Sequence, residues 1–370
     1  MVLHLRQKYR EKDMTEQTLL NLISGSLWKD EQATDIPLEV VSEAEHQAVA
    51  GLIQPASYQQ IAYYIRYTHE EQELIQLLEG HGIPLVILKG AAAAVYYPIP
   101  SRRSFGDIDF LVSPERCADT TELLEANGYI RGEDNERHIA YSKSGIHFEL
   151  HRRYSHEDID IERYVLDGLE HRVTGRIDQH EFPMLPPLAN GLVLLDHMRS
   201  HLKSGLGLRQ VIDWMMYCYR ELDDEFWRDH FRSVTEEAKL TTLAITATAL
   251  CQKYLGLTSN ITWCRDADEA LVDKLLDSLL ISGNFGRKQG LGSNVEKVTA
   301  AFRREGLFHR LQHAGEYNWK AYHQHHGLRP FCWLYQLFRY MRQGMGRIRY
   351  IRTDLARGND RYELLKKLGI

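Results

Sequence analysis

The sequence predicts an α+β fold in which a small sheet-bearing core sits between an N-terminal helical segment and a larger helical C-terminal domain. Three observations predict it. Apolar residues recur at helical spacing through residues 15–80, short strand-like apolar runs replace them between Pro84 and His151, and beyond the proline-rich run Phe182–Leu188 the pattern is helical almost to the end. The expected division is 1–80, 81–185 and 186–370, and a chain of 370 residues has room for it.

The elements follow in order. Ile61, Tyr64, Ile65, Leu74, Leu77 and Leu78 mark one face of a helix that Gly80 can stop. Pro84-Leu-Val-Ile-Leu88 is a continuous apolar run with β-branched members, read as a buried strand ending at Lys89-Gly90. Ala91–Tyr97 is alanine-rich and reads as a helix closed by Pro98 and Pro100, and Asp107–Val112 is the second strand. Pro114–Asn127 reads as a helix with proline in its first turn and Gly128 past its end. His138–Tyr141 and Ile146–His151 form a hairpin turning at Ser144-Gly145. Helices are then expected over roughly 188–203, 207–221, 235–254, 266–283, 294–304 and 329–345. In the last of these the stripe Phe331, Trp333, Leu334, Leu337, Phe338 and Met341 reads as a core face.

Composition narrows the classes. The five cysteines are scattered and never paired as Cys-x-x-Cys, which argues for free thiols in a reducing cytoplasm and against a structural zinc site. No run is long enough to span a bilayer, and basic Met1–Lys12 lacks the apolar centre of a secretion signal. The formal net charge of −6 argues against coating of nucleic acid. The C-terminal arginines (Arg342, Arg347, Arg349, Arg352, Arg357) read first as a solvated face, with RNA or an anionic surface as the alternative.

The chemistry concentrates at Asp107 and Asp109, two apart in an otherwise apolar strand. Strand parity points both the same way, and neighbouring anions need a cation between them; oxygen ligands suit Mg2+ or Mn2+. In Ile146–His151, Phe148 and Leu150 face the core while His147, Glu149 and His151 share the opposite face. If the two strands are neighbours, Asp107, Asp109 and Glu149 converge and can hold metal ions for an in-line displacement, with Glu149 near the nucleophile. Lys89 and the N–H groups of Gly90 and Ala91, where a strand turns into a helix, would cradle a phosphate, and Arg103 would reach phosphates or brace the carboxylates.

The run Leu88-Lys89-Gly90, then Arg103-x-x-x-Asp107-Ile-Asp109-Phe-Leu-Val112, then Glu149-Leu-His151 resembles the nucleotidyltransferase superfamily that includes DNA polymerase beta and kanamycin nucleotidyltransferase. More narrowly it resembles the bacterial uncharacterised nucleotidyltransferases, where similarity continues through His197-x-x-x-His201 and Gly207-Leu-Arg209-x-x-x-Asp213. The resemblance implies a minimal mixed sheet and transfer of a nucleoside monophosphate from an NTP, with magnesium, to a hydroxyl acceptor and release of pyrophosphate. It places the carboxylate roles on Asp107, Asp109 and Glu149. The chain departs from the pattern at Gly90-Ala91, where Gly-Ser or Gly-Gly is usual, and in a longer gap to the aspartates. A similar Lys-Gly turn occurs among toxins that modify tRNA ends, so tRNA stands beside small molecules, sugars and proteins as an acceptor. A catalytically silent nucleotide-binding module is the remaining alternative.

The other polar positions are read both ways. His151 can touch nucleotide or acceptor, or be a hydrogen-bonded structural histidine. His197 and His201 share a helical face, but Met198 stands where a zinc protease needs glutamate, so a structural or acceptor-pocket role is preferred to zinc. Arg209 is expected to pair with Asp213 four residues on, with the acceptor pocket as its alternative.

Overall fold

In the computed structural model the described residues are 2–370 apart from 30, 32, 34, 136, 155–160, 203–204, 259, 285–306, 320, 323–324 and 345–350. Four helices come first: α1 (Val2–Trp28), α2 (Leu38–His46), α3 (Ala50–Ile53) and α4 (Tyr58–Gly80). Helix α4 starts at a reciprocal cap, Ser57 accepting from the Gln60 N–H while the Gln60 side chain accepts from the Ser57 N–H. Its buried face, including Tyr67, Leu74 and Leu78, packs on the sheet.

Among the described residues the sheet has seven strands, in the order β3-β4-β5-β2-β1-β7-β6. They are β1 (Leu85–Leu88), β2 (Ile108–Val112), β3 (Ile130–Asp134), β4 (His138–Lys143), β5 (Ile146–His151), β6 (Val173–Ile177) and β7 (His180–Met184). It is mixed: β2 runs parallel to β5 and antiparallel to β1, while β1 runs parallel to β7. The β4–β5 hairpin turns at Ser144-Gly145, both with positive φ, which matches the right-handed twist of the strands. Between the strands lie α5 (Gly90–Ala94), α6 (Cys117–Ala126) and α7 (Glu162–Glu170).

Two further helices complete the surroundings of the site, α8 (Pro187–Leu202) and α9 (Leu208–Glu221). Beyond them run Thr241–Leu255, Glu269–Ser282, Leu307–Asn318, Cys332–Gly344 and Ile351–Lys367. One continuous apolar cluster links the sheet, α1, α8, α9, the helices Thr241–Leu255 and Glu269–Ser282, and Leu364, Leu365 and Leu368 at the end of the chain. No helix is long and apolar enough to cross a membrane among the described residues.

Several expectations need correction. Strands β3, β6 and β7 are additional to the sequence reading. β3 is an exposed edge strand, Ile-Arg-Gly-Glu-Asp, without the alternation that reveals a half-buried strand. β7 contains Pro183, which deters a strand reading, yet the ladder to β1 is made at Met184, one residue beyond it. Phe182–Leu188 therefore spans the end of a strand and the start of α8. The helix expected over 235–254 is broken: one segment ends at Glu237, Lys239 takes a positive φ, and the next starts at Thr241. Phe331 and Phe338 do not form a core face; they stand exposed while Cys332 and Gln336 are buried. The helix expected over 294–304 and the arginines Arg347 and Arg349 lie outside the described residues.

Candidate active site

The site is built where β1, β2 and β5 end under α8 and α9. In the parallel pair β2–β5, Asp109 is the register partner of Glu149, so the two carboxylates stand side by side on one face. Across the hairpin, His138 is opposite His151. Asp109, Glu149 and His151 each offer a ligand atom within 4.8 Å of the others. Asp107 precedes the strand, is exposed, and lines the same cavity beside this group rather than within it.

Asp109 is the most enclosed of the acids. Its Oδ1 accepts from Lys89 Nζ at 2.8 Å and from His151 Nε2 at 2.8 Å. Burial alone would raise its pKa, but the Lys89 ammonium and the His151 bond hold it well below the carboxylate range. An ionised carboxylate only accepts, so His151 carries its proton on Nε2 and braces Asp109. Burial pushes the His151 pKa down to about 4, which keeps the ring neutral. Glu149 behaves in the opposite way: burial and then the negative charge of Asp109 push it up to about 8. The pair thus divides its charge, one acid ionised against Lys89 and the other holding a proton.

Lys89 reaches this position from a strained turn. Its φ of 53° and ψ of −124° lie where an L-residue costs roughly 1–3 kcal/mol. Gly90, at φ +20°, is required in a second way: a Cβ there would come within 2.3 Å of the Tyr67 hydroxyl. The loop to β2 is tied on both sides. Tyr63 Oη donates to the Gly106 carbonyl at 2.7 Å, and Arg209 Nη1 donates to the Ser104 carbonyl at 3.3 Å.

Arg103 does not brace the strand carboxylates. Its guanidinium forms a bidentate pair with Asp213 of α9, Nε to Oδ1 and Nη2 to Oδ2 both at 2.8 Å, and Tyr97 Oη adds a bond to Oδ1 at 2.7 Å. Asp213 is thereby taken by Arg103 rather than by Arg209, because the loop before β2 lies directly against α9. Arg209 lines the cavity instead, and burial followed by the nearby Arg103 charge lowers its pKa.

The opposite wall comes from α8. His197 and His201 both line the cavity, and their Nε2 atoms are 2.8 Å apart. Burial, reinforced for His201 by Lys89 and Arg209, lowers that ring to about 3; His197 is held well below its ordinary value by burial and by His201. Both are neutral, one donating to the other. Asp196 is buried on the same wall and accepts from Arg199 Nε at 2.8 Å.

Arg137, His138, Tyr154, Asp196 and Ser200 also line the cavity, and the sequence reading did not single them out. Counting back from the Ser144-Gly145 turn would have set His138 opposite His151. Asp196 and Ser200 are one helical turn apart, beside the turn formed by His197 and His201. Arg137 and Tyr154, just outside the strands, carry no sequence signal of their own.

The cavity holds about 190 Å³. As to metal, two carboxylates on adjacent strands suit a hard divalent ion, with His151 bracing one of them.

A family model described as uncharacterised nucleotidyltransferase matches residues 23–256. The chain belongs to this family. Membership makes it a nucleotidyltransferase by class, and the matched span contains every cavity-lining residue discussed above. No curated protein matches the sequence. Among solved structures, the solution structure of the antibiotic-resistance factor ANT(2″)-Ia is 15% identical with a TM-score of 0.36, over 46% of this chain and 92% of that one. A crystal structure of ANT(2″)-Ia with adenylyl-2″-tobramycin is 14% identical with a TM-score of 0.35, over 45% and 98%. An antigenic nucleotidyltransferase-like protein from Paracoccidioides brasiliensis is 18% identical with a TM-score of 0.34, over 52% and 91%. The likeness is too low to bear on the substrate of this nucleotidyltransferase.

Proposed function

We propose that this nucleotidyltransferase moves a nucleoside monophosphate from an NTP to a hydroxyl acceptor and releases pyrophosphate, using Mg2+ or Mn2+. The observation that carries the proposal is the register pairing of Asp109 with Glu149 at the floor of a cleft whose cations Lys89 and Arg137 suit a polyphosphate. Asp109 and Glu149 would hold the metal, with Asp107 joining from the rim. The bound ion would supply charge neutralisation at the transferring phosphoryl group. Glu149, once its proton is gone, accepts the proton of the attacking hydroxyl. Lys89, Arg103 and the N–H groups of Gly90 and Ala91 belong to the triphosphate side, with Arg103 acting by clamping the loop through Asp213. His151 orients Asp109.

The division at 1–80, 81–185 and 186–370 gives the last part the acceptor side of the cleft, with His197, His201 and Arg209 facing the acceptor. The cavity is smaller than the ~300–1,000 Å³ that encloses a whole ligand, so it receives the charged end of the nucleotide while the base lies nearer solvent. The test is incubation with each α-labelled NTP and Mg2+ or Mn2+ in the presence of RNA, protein and metabolite fractions. Label in the metabolite or protein fraction supports this reading. Label on tRNA ends would select the RNA acceptor, and no transfer under any condition would leave a silent nucleotide-binding module. The expected location, the cytoplasm, fits the free cysteines.

A further inference from the structure

The cation that neutralises Asp109 belongs to the protein itself. Lys89 Nζ and His151 Nε2 both bond the same oxygen, Oδ1, and the lysine and aspartate side chains are only 13% and 6% exposed. These two donors differ in freedom. His151 sits within β5 and is 1% exposed, so its ring is fixed by the sheet. Lys89 hangs on a flexible four-carbon stem, and beside Asp109 its ammonium meets only the edge of cation–π range at Tyr154, 6.0 Å from the ring centre. The backbone at Lys89 is in a conformation that glycine adopts more easily, so the turn keeps a side chain there at a cost.

We infer that Lys89 is an internal competitor for the metal site: its ammonium and a divalent ion exclude one another at Asp109, and the ion's arrival frees Lys89 to meet the triphosphate. An ammonium and a dication on one carboxylate repel, and of the two donors on Oδ1 only the lysine can leave. Metal and nucleotide then bind as a coupled pair. The nucleotide half of this inference rests on the function proposed above; the competition itself does not.

The experiment measures Mn2+ binding to the full chain by the electron paramagnetic resonance of free Mn2+, with and without a non-hydrolysable NTP analogue. Lys89→Met should bind Mn2+ about tenfold more tightly than the unaltered chain. Arg137→Met removes another positive charge from the same cleft and should shift the affinity less than about threefold. The analogue should tighten Mn2+ binding in the unaltered chain and do so less in Lys89→Met. Lys89→Gly, which relaxes the turn, should reproduce the tighter binding if Lys89→Met folds poorly. Equal shifts in the Lys89 and Arg137 variants, or no tightening in either Lys89 variant, would overturn the inference. Because the readout needs no turnover, tighter binding without label transfer would refute the proposed function and leave the competition standing. Transfer without tighter binding would do the reverse.

Discussion

The two walls of the cleft handle charge in opposite ways. The sheet wall concentrates it: Asp109, Glu149 and Lys89 lie within a few bond lengths and settle their charges among themselves, one acid ionised and one protonated. The helical wall disperses it: His197 and His201 are neutral, Asp196 is held by Arg199, and Asp213 is held by Arg103. A wall whose charges can be rearranged by one ion is suited to chemistry. A wall whose polar groups are already paired is suited to recognition and to holding shape.

The largest difference should appear on replacing Asp109 by Asn, which keeps the shape and removes the charge. Label transfer should fall by about 10³-fold or more while near-ultraviolet circular dichroism stays unchanged. Retained transfer would remove the sheet wall from the chemistry. Next, Arg103→Met leaves the Asp213 carboxylate buried without its guanidinium. Denaturant unfolding should show a loss of about 3–5 kcal/mol, and Arg103→Met with Asp213→Leu should recover much of it. A smaller loss than that of an exposed pair such as Arg232–Glu236 would show that the clamp does not hold the loop to α9.

A pH series above 6.5, compared with the same series on Glu149→Gln, addresses Glu149. Its pKa is raised from 4.5 to about 8, so between these values the folded chain binds a proton that the unfolded chain has lost. The depressed histidines His151, His197 and His201 act in the opposite sense below their ordinary value of 6.5, so without divalent ions the decline in stability belonging to Glu149 should be read as pH rises from 6.5 to about 8. Mn2+ affinity should move the other way, rising by up to about tenfold per pH unit until pH is near 8, because the ion displaces that proton. Calorimetry in buffers of different ionisation enthalpy would detect its release, and Glu149→Gln should abolish it. The smallest effect is expected from His201→Asn: a rise of about tenfold in the acceptor KM, with kcat at saturating acceptor nearly kept. A collapse of kcat instead would place the helical wall in the chemical step.

Much of the sheet wall was legible because a strand has period two. Parity alone put Glu149 and His151 on one face of β5, and Lys89-Gly90 marked the turn after β1. Parity could not show that Asp107 falls just outside β2, since a strand's first residue depends on its neighbours' ladder. Nor could it show that Lys89 points at Asp109, which depends on a positive φ that composition does not reveal. The helical wall was harder to read. The i, i+4 rule pairs Arg209 with Asp213, yet Asp213 bonds Arg103, more than a hundred residues earlier. Local spacing cannot weigh a partner brought in by the fold.

From the residues alone came the α+β architecture and the clustering of the carboxylates, because each depends on patterns a few residues long, and the resemblance those motifs carry implied the class of reaction. Folding alone set Asp109 beside Glu149 across a parallel ladder, took Asp213 from Arg209 and gave it to Arg103, and laid the Lys89 ammonium on the acid proposed to bind metal. Those pairings join residues distant along the chain, and their energies depend on burial, which no stretch of sequence carries by itself.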